Sequence, residues 1–129
     1  MLKIAVPTSA RTQMIDITGQ VQEAIGKSGV KSGLCVVFVP HTTAGITINE
    51  NADPDVQRDI LTHMDKVAPQ NGDFRHCEGN SAGHIKASLF GSSATVPVEN
   101  GRLCLGTWQA IYFCEFDGPR QRQAWIQFQ

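Results

Sequence analysis

The residues from Leu34 to Val39 form an unbroken run of apolar and β-branched side chains. A run of this kind fits a strand buried in the interior, and it constrains the fold more than any other segment. Shorter strand signals surround it. Leu2, Ile4 and Val6 alternate, and Ile46 and Ile48 mark a further strand after the turn at His41. Ala94–Val98 and Gly101–Leu105 flank Asn100-Gly101, a pair suited to the left-handed residues of a type I′ hairpin. Trp108–Phe116 reads as a long strand, and Gln123–Phe128 as the last. Helix signals interrupt this series. Thr18 can cap a helix bearing Val21, Ala24 and Ile25 that stops near Gly26 or Gly29. Asp53-Pro54 supplies an N-cap acid and a first-turn proline, followed on one face by Val56, Ile60, Leu61 and Met64. Ser81 can cap a third helix, with Ile85 and Leu89 inward and Gly91 as its stop. The pattern predicts one α+β domain over residues 1–129, β-rich, with two or three helices on a largely antiparallel sheet or sandwich.

Bulk properties narrow the function classes. A net charge of -1 gives no basic surface for nucleic acid, so none is expected as a partner. No apolar run approaches the roughly 20 residues of a membrane span, and the N-terminus reads as a strand instead of a signal peptide. The four cysteines, Cys35, Cys77, Cys104 and Cys114, lack metal or redox spacing, and three lie in strand-like runs. A reducing, cytoplasmic setting is therefore expected. Cys77 stands apart beside His76 in a polar loop.

Three of the four histidines fall in motifs rich in small polar residues, His41-Thr42-Thr43-Ala44-Gly45 and His76 through His84. Neutral imidazole is a common metal ligand and a frequent acid or base near pH 7. His41 ends the buried strand, where a rigid scaffold presents groups to loops, and Thr42 and Thr43 add hydroxyls. With Ser81 as cap, His84 occupies the third helical position, where the helix dipole favours a neutral ring. The offset of eight from His76 to His84 matches no standard short metal motif. His63 sits in the last turn of its helix and reads as surface. In the strand after Trp108, Gln109 and Glu115 share a face with Ile111 and Phe113, so a core on that side obliges Glu115 to find a partner. Arg120 and Arg122 are both within reach in sequence. Such a carboxylate can also serve as a base or a ligand.

Three stretches in order, His41-Thr-Thr-Ala-Gly-Ile-Thr-Ile-Asn-Glu-Asn-Ala-Asp-Pro54, Gly79-Asn-Ser-Ala-Gly-His-Ile-Lys-Ala-Ser-Leu-Phe-Gly91 and Gly101-Arg-Leu-Cys-Leu-Gly-Thr-Trp-Gln109, resemble the YjbQ family. Its members are often named secondary thiamine-phosphate synthase enzymes. The resemblance implies a compact β-rich protomer, a homotrimer, and a polar pocket holding His41, His76 and His84. It also points to Asn49, Glu50, Asp53, Trp108, Gln109, Glu115 and Arg120 as motif positions. On this footing the expected protein is a small enzyme acting on a phosphorylated small molecule, with weak thiamine-phosphate synthase activity. His41, Glu50 and Glu115 are its candidate catalytic groups. Thr42, Thr43, Asn49, Trp108, Gln109 and Arg120 are the candidate substrate contacts. His41, His76 and His84 are the candidate ligands of a divalent metal, zinc or similar. The alternative is a trimeric binding module for a metabolite or metal, without turnover. Unlike relatives with a longer, more acidic segment between the second and third histidines, this chain carries Glu78 as the only acid there.

Overall fold

The computed structural model describes residues 1–129. The elements in chain order are β1 (Leu2–Pro7), β2 (Gln13–Asp16), α1 (Thr18–Ser28), β3 (Gly33–Phe38), β4 (Ala44–Glu50) and α2 (Pro54–Val67). α3 (Ser81–Phe90), β5 (Ser93–Glu99), β6 (Arg102–Leu103), β7 (Gln109–Glu115) and β8 (Gln121–Phe128) complete the chain. One sheet runs β1-β8-β3-β5-β6, the other β2-β7-β4, and every strand pair is antiparallel. Val37, Val96 and Ile126 of the first sheet share one buried cluster with Ile46, Ile111 and Phe113 of the second, closed by Val21 and Ile25 of α1. The molecule is thus an α+β sandwich with three helices. No helix is long and apolar enough to cross a membrane.

Local chemistry accounts for most element ends. Asp53 accepts from the Asp55 N–H (2.9 Å) with Pro54 opening α2, as the sequence predicts. Asn100 and Gly101 adopt φ of 53° and 72°, the paired left-handed residues of a type I′ turn, with Glu99 opposite Arg102. Helix α1 ends at Gly29 (φ 75°). Thr18 is not its cap: Ile17 holds that position, and the Thr18 hydroxyl accepts from the Ile111 N–H (2.8 Å), fastening helix to sheet.

Two expectations about faces are overturned. Helix α3 starts one residue earlier than a Ser81 cap requires, with Asn80 as N-cap, and it turns small residues inward. Ala82, Gly83, Lys86 and Ala87 are buried, while Ile85 and Leu89 are exposed, Leu89 to 60%. Close packing is the cause at Gly83: a Cβ there would lie 2.9 Å from the Phe116 carbonyl oxygen, so no side chain fits that position without a shift. Lys86, though buried, reaches Asp65 of α2 with its ammonium (2.5 Å). The β3 run is also covered on one side only. Cys35 and Val37 point into the core, while Leu34 and Phe38 lie on an outer face beside Trp125, whose ring meets Phe38 at 5.9 Å and Lys3 Nζ at 5.0 Å.

Candidate functional site

The site is built around a buried ion pair that spans the sandwich. Glu115 projects from β7 and Arg122 from β8, each on the inner face of its sheet. Arg122 Nε donates to both Glu115 oxygens (2.9 and 3.1 Å) and its Nη2 to Oε2 (2.5 Å). The Thr8 hydroxyl donates to Oε1 (2.7 Å), and the Phe116 and Asp117 N–H groups donate to Oε2 (3.1 and 3.2 Å). Glu115 is fully buried with its acceptor capacity filled, so it is not a free base, contrary to the catalytic role expected of it. Arg122, not Arg120, is its partner. Arg120 is exposed and turns to the Asp117 carboxylate (3.0 Å), away from the clefts described below. Thr43 is likewise structural. It is buried, and its hydroxyl (2.8 Å) and carbonyl (3.3 Å) both accept from Arg122 Nη2. Arg122 Nη1 has no protein acceptor.

His41 stands in front of this pair, its ring 6.3 Å from Phe113 in an edge-on arrangement. Its Nε2 accepts the Gln123 N–H (3.0 Å). The β3–β8 register, with Phe38 opposite Trp125, would set Gln123 opposite Pro40, but β3 stops at Phe38 and the imidazole takes the free amide instead. A protonated Nε2 could not accept that bond, so the contact holds the ring neutral with its hydrogen on Nδ1. Burial and the nearby Arg122 guanidinium also push the His41 pKa below its ordinary value. The expected catalytic base is therefore a hydrogen-bond donor in this geometry. Coordination by a neutral ring through Nδ1 would place the hydrogen on Nε2, facing the Gln123 N–H, so the metal-ligand role also conflicts with the observed bond.

His84 lies on α3 and faces the same cleft as His41, a space of about 530 Å³ with Thr42, Ser88 and Ser92 on its walls. His76 meets His84 edge-on with ring centroids 5.4 Å apart, and its Nε2 lies 3.7 Å from Glu78. The expected convergence of the two histidine motifs is thus present as a shared surface. It is not a metal shell: no three His, Cys, Asp or Glu side chains come close enough within the protomer to hold one ion. With Asn80 as cap, the His84 N–H already donates to the Asn80 carbonyl (3.3 Å), so it is not a free helix-end donor.

Four other expected positions lie elsewhere. Ala44 pairs with Glu115 and Glu50 with Gln109, so Asn49, Glu50, Trp108 and Gln109 occupy the far end of sheet β2-β7-β4. At about 3.4 Å per residue this is roughly 20 Å from the histidine end. There Asn49 caps the Glu50 N–H (2.7 Å), Gln109 accepts from Gly106 (2.8 Å), and Trp108 is 62% exposed. Sequence reasoning missed Arg122, Ser88 and Ser92 as lining groups. The signal for Arg122 was its place in the β8 alternation: a cation at an inward position in register with Ala124 and Ile126. Ser88 and Ser92 carried none.

The fold and clefts together define a small two-sheet α+β protein with ligand-sized polar clefts at one end of its sandwich. A family model described as UPF0047 protein YjbQ-like matches residues 2–129, and the chain belongs to the YjbQ family. It is 56% identical over 128 residues to the UPF0047 protein YugU of Bacillus subtilis, covering 98% of this chain and 97% of that one. A UPF0047 protein of Methanocaldococcus jannaschii is 50% identical, with 98% and 91% covered. Among solved structures, a YjbQ/UPF0047 family protein from Clostridium acetobutylicum superposes with a TM-score of 0.98 at 59% identity over the whole of both chains. A conserved hypothetical protein from Thermus thermophilus gives 0.93 at 42% identity, again over the whole of both.

Proposed function

We propose that this protein binds a small phosphorylated metabolite at the His41 end of the sandwich. The observation that carries the reading is the donor set of the cleft bounded by Phe38, His41, Thr42, Ser92 and Arg122. Arg122 Nη1 is free of protein acceptors, His41 keeps a proton on Nδ1, and two hydroxyls adjoin them, with no carboxylate on the wall. Donors fixed in place by buried partners suit an oxyanion, since little ordering remains to be done on binding. Arg122 cannot swing away, because Glu115 and Thr43 hold its other nitrogens.

Binding without turnover is the form we favour. Glu115 is saturated, Glu50 lies at the other end of the sheet, and His41 offers a proton instead of a lone pair. Thiamine-phosphate synthesis must also neutralise a departing diphosphate, and the protomer supplies no donor set that would hold a divalent ion for that purpose. A homotrimer accords with this reading, since the outer face carrying Leu34, Phe38 and Trp125 is the kind of surface a subunit contact covers. A cytoplasmic setting accords with four unpaired cysteines, of which buried Cys35 is pushed up to about 11.

Calorimetric titration with orthophosphate and with ribose phosphate tests the proposal. Saturable binding is expected, and His41→Ala should weaken it at least about tenfold, the worth of one donor to a charged group. Absence of saturable binding to either compound, or equal affinity in the variant, overturns it.

A further inference from the structure

We infer that the ligand is a nucleoside monophosphate or a compound built on the same three-part plan; this rests on the anion site proposed above and extends it along a groove. The groove consists of three adjoining clefts with shared walls. His41, Thr42 and Ser92 line both the first, of about 450 Å³, and the second, of about 530 Å³. His84 lines both the second and a third, also of about 530 Å³.

The lining changes character along this path. Arg122 and His41 offer donors at the first end. In the middle, Thr42, Ser88 and Ser92 share the wall with Ala44 and Ala87, the Ser88 hydroxyl donating to the His84 carbonyl (2.9 Å) and keeping its lone pairs as acceptors, a mix of hydroxyl and small apolar groups that matches the hydroxyl-bearing carbons of a pentose. At the far end lie Phe74, Ile85 and the edge-to-face imidazoles of His76 and His84, a surface of flat rings and apolar carbon. Planar heteroaromatic rings bind such surfaces by stacking.

Phe74 is held for this purpose by its own turn. The Gly72 N–H donates to the Pro69 carbonyl (3.1 Å) and the Phe74 N–H to the Gly72 carbonyl (3.0 Å). The ring folds back over Gly72 so closely that a Cβ there would lie 2.5 Å from Phe74 Cζ. Bare glycine backbone therefore seats the ring beside the third cleft. Charge sets the ligand's direction. Asp73 and Arg75 both border the third cleft and offset one another, whereas the first cleft has a guanidinium and no carboxylate on its wall. The phosphate belongs at the Arg122 end and the base at the Phe74 end.

The test is a calorimetric series with orthophosphate, ribose phosphate and adenosine monophosphate on the full chain. Affinity should rise in that order. Phe74→Ala should lower adenosine monophosphate affinity about tenfold, to that of ribose phosphate, and leave the two smaller ligands unchanged. Gly72→Ala should do the same by displacing the ring while keeping it in the chain. Equal affinity for ribose phosphate and adenosine monophosphate, or a Phe74→Ala loss shared by all three ligands, overturns the inference while leaving the anion site standing. Failure of all three to bind removes both.

Discussion

The two ends of β7 carry polar side chains on the same face and have opposite fates. Gln109 opens the strand, Glu115 closes it, and between them Ile111 and Phe113 point into the core. Gln109 remains exposed and accepts one hydrogen bond from the neighbouring Gly106 N–H. Glu115 is sealed beneath Thr8, Arg122 and two backbone amides. Strand alternation is identical at both ends, so it cannot be the cause. The difference lies in what arrives from elsewhere: the segment after β1, the β3–β4 turn and β8 all converge on Glu115, while only a short turn adjoins Gln109. Periodicity decides which face a side chain takes, and distant segments decide whether that face is closed. The closed end is also where donors are held rigidly enough to form a site.

Breaking the ion pair should give the largest effect. Glu115→Gln leaves the buried Arg122 without its counter-charge, and urea unfolding should show a loss of about 3–5 kcal/mol. Gln109→Ala at the open end should change stability by no more than about 1 kcal/mol; equal losses would erase the contrast. Next comes packing against the closed end. A Cβ on Gly83 would lie 2.9 Å from the Phe116 carbonyl and 3.4 Å from Thr43 Cβ, so Gly83→Ala should cost about 1–3 kcal/mol. Gly26, inside α1 with nothing within 4 Å of a built Cβ, is the counterpart. Gly26→Ala should stabilise by about 0.4–1 kcal/mol in the same assay.

The smallest effect concerns pH. The folded His41 resists protonation, its pKa being held down by burial and by Arg122. As pH falls through about 6.5, the unfolded chain takes up a proton that the folded ring refuses. Stability tied to His41 is therefore complete above that value, declines below it, and levels off once the folded ring also titrates. Urea midpoints measured from about pH 7.5 down to about pH 5 should fall less in His41→Gln, which keeps an acceptor for Gln123 and loses the titration. An identical slope in both proteins would mean that the ring is not held neutral.

Much of this architecture was readable from short-range chemistry. Asp53-Pro54 and Asn100-Gly101 act through neighbours in sequence, and both form the predicted cap and turn. The face of α3 was misread because Ile85 and Leu89 are its large apolar residues, whereas Ala82, Gly83 and Ala87 turn inward and the backbone at Phe116 comes too close to Gly83 for a side chain there. Strand β2 was missed because Gln13–Asp16 is too short to display alternation. In the site, His41 and His84 do share a cleft, as their motifs suggested. The role of His41 was hidden, since it depends on a backbone amide 82 residues away. Phe74 was invisible for a similar reason: its place depends on how one turn folds over Gly72.

The bond between the Gln123 amide and His41 has a consequence for how the protein can be watched. That amide lies just past the end of β3, and the ring is its acceptor. Protonating the imidazole at Nε2 releases the amide. Its hydrogen-exchange rate and chemical shift therefore report the ring's state directly. One backbone proton at the strand end serves as a built-in indicator of that ring's protonation, readable without any added label.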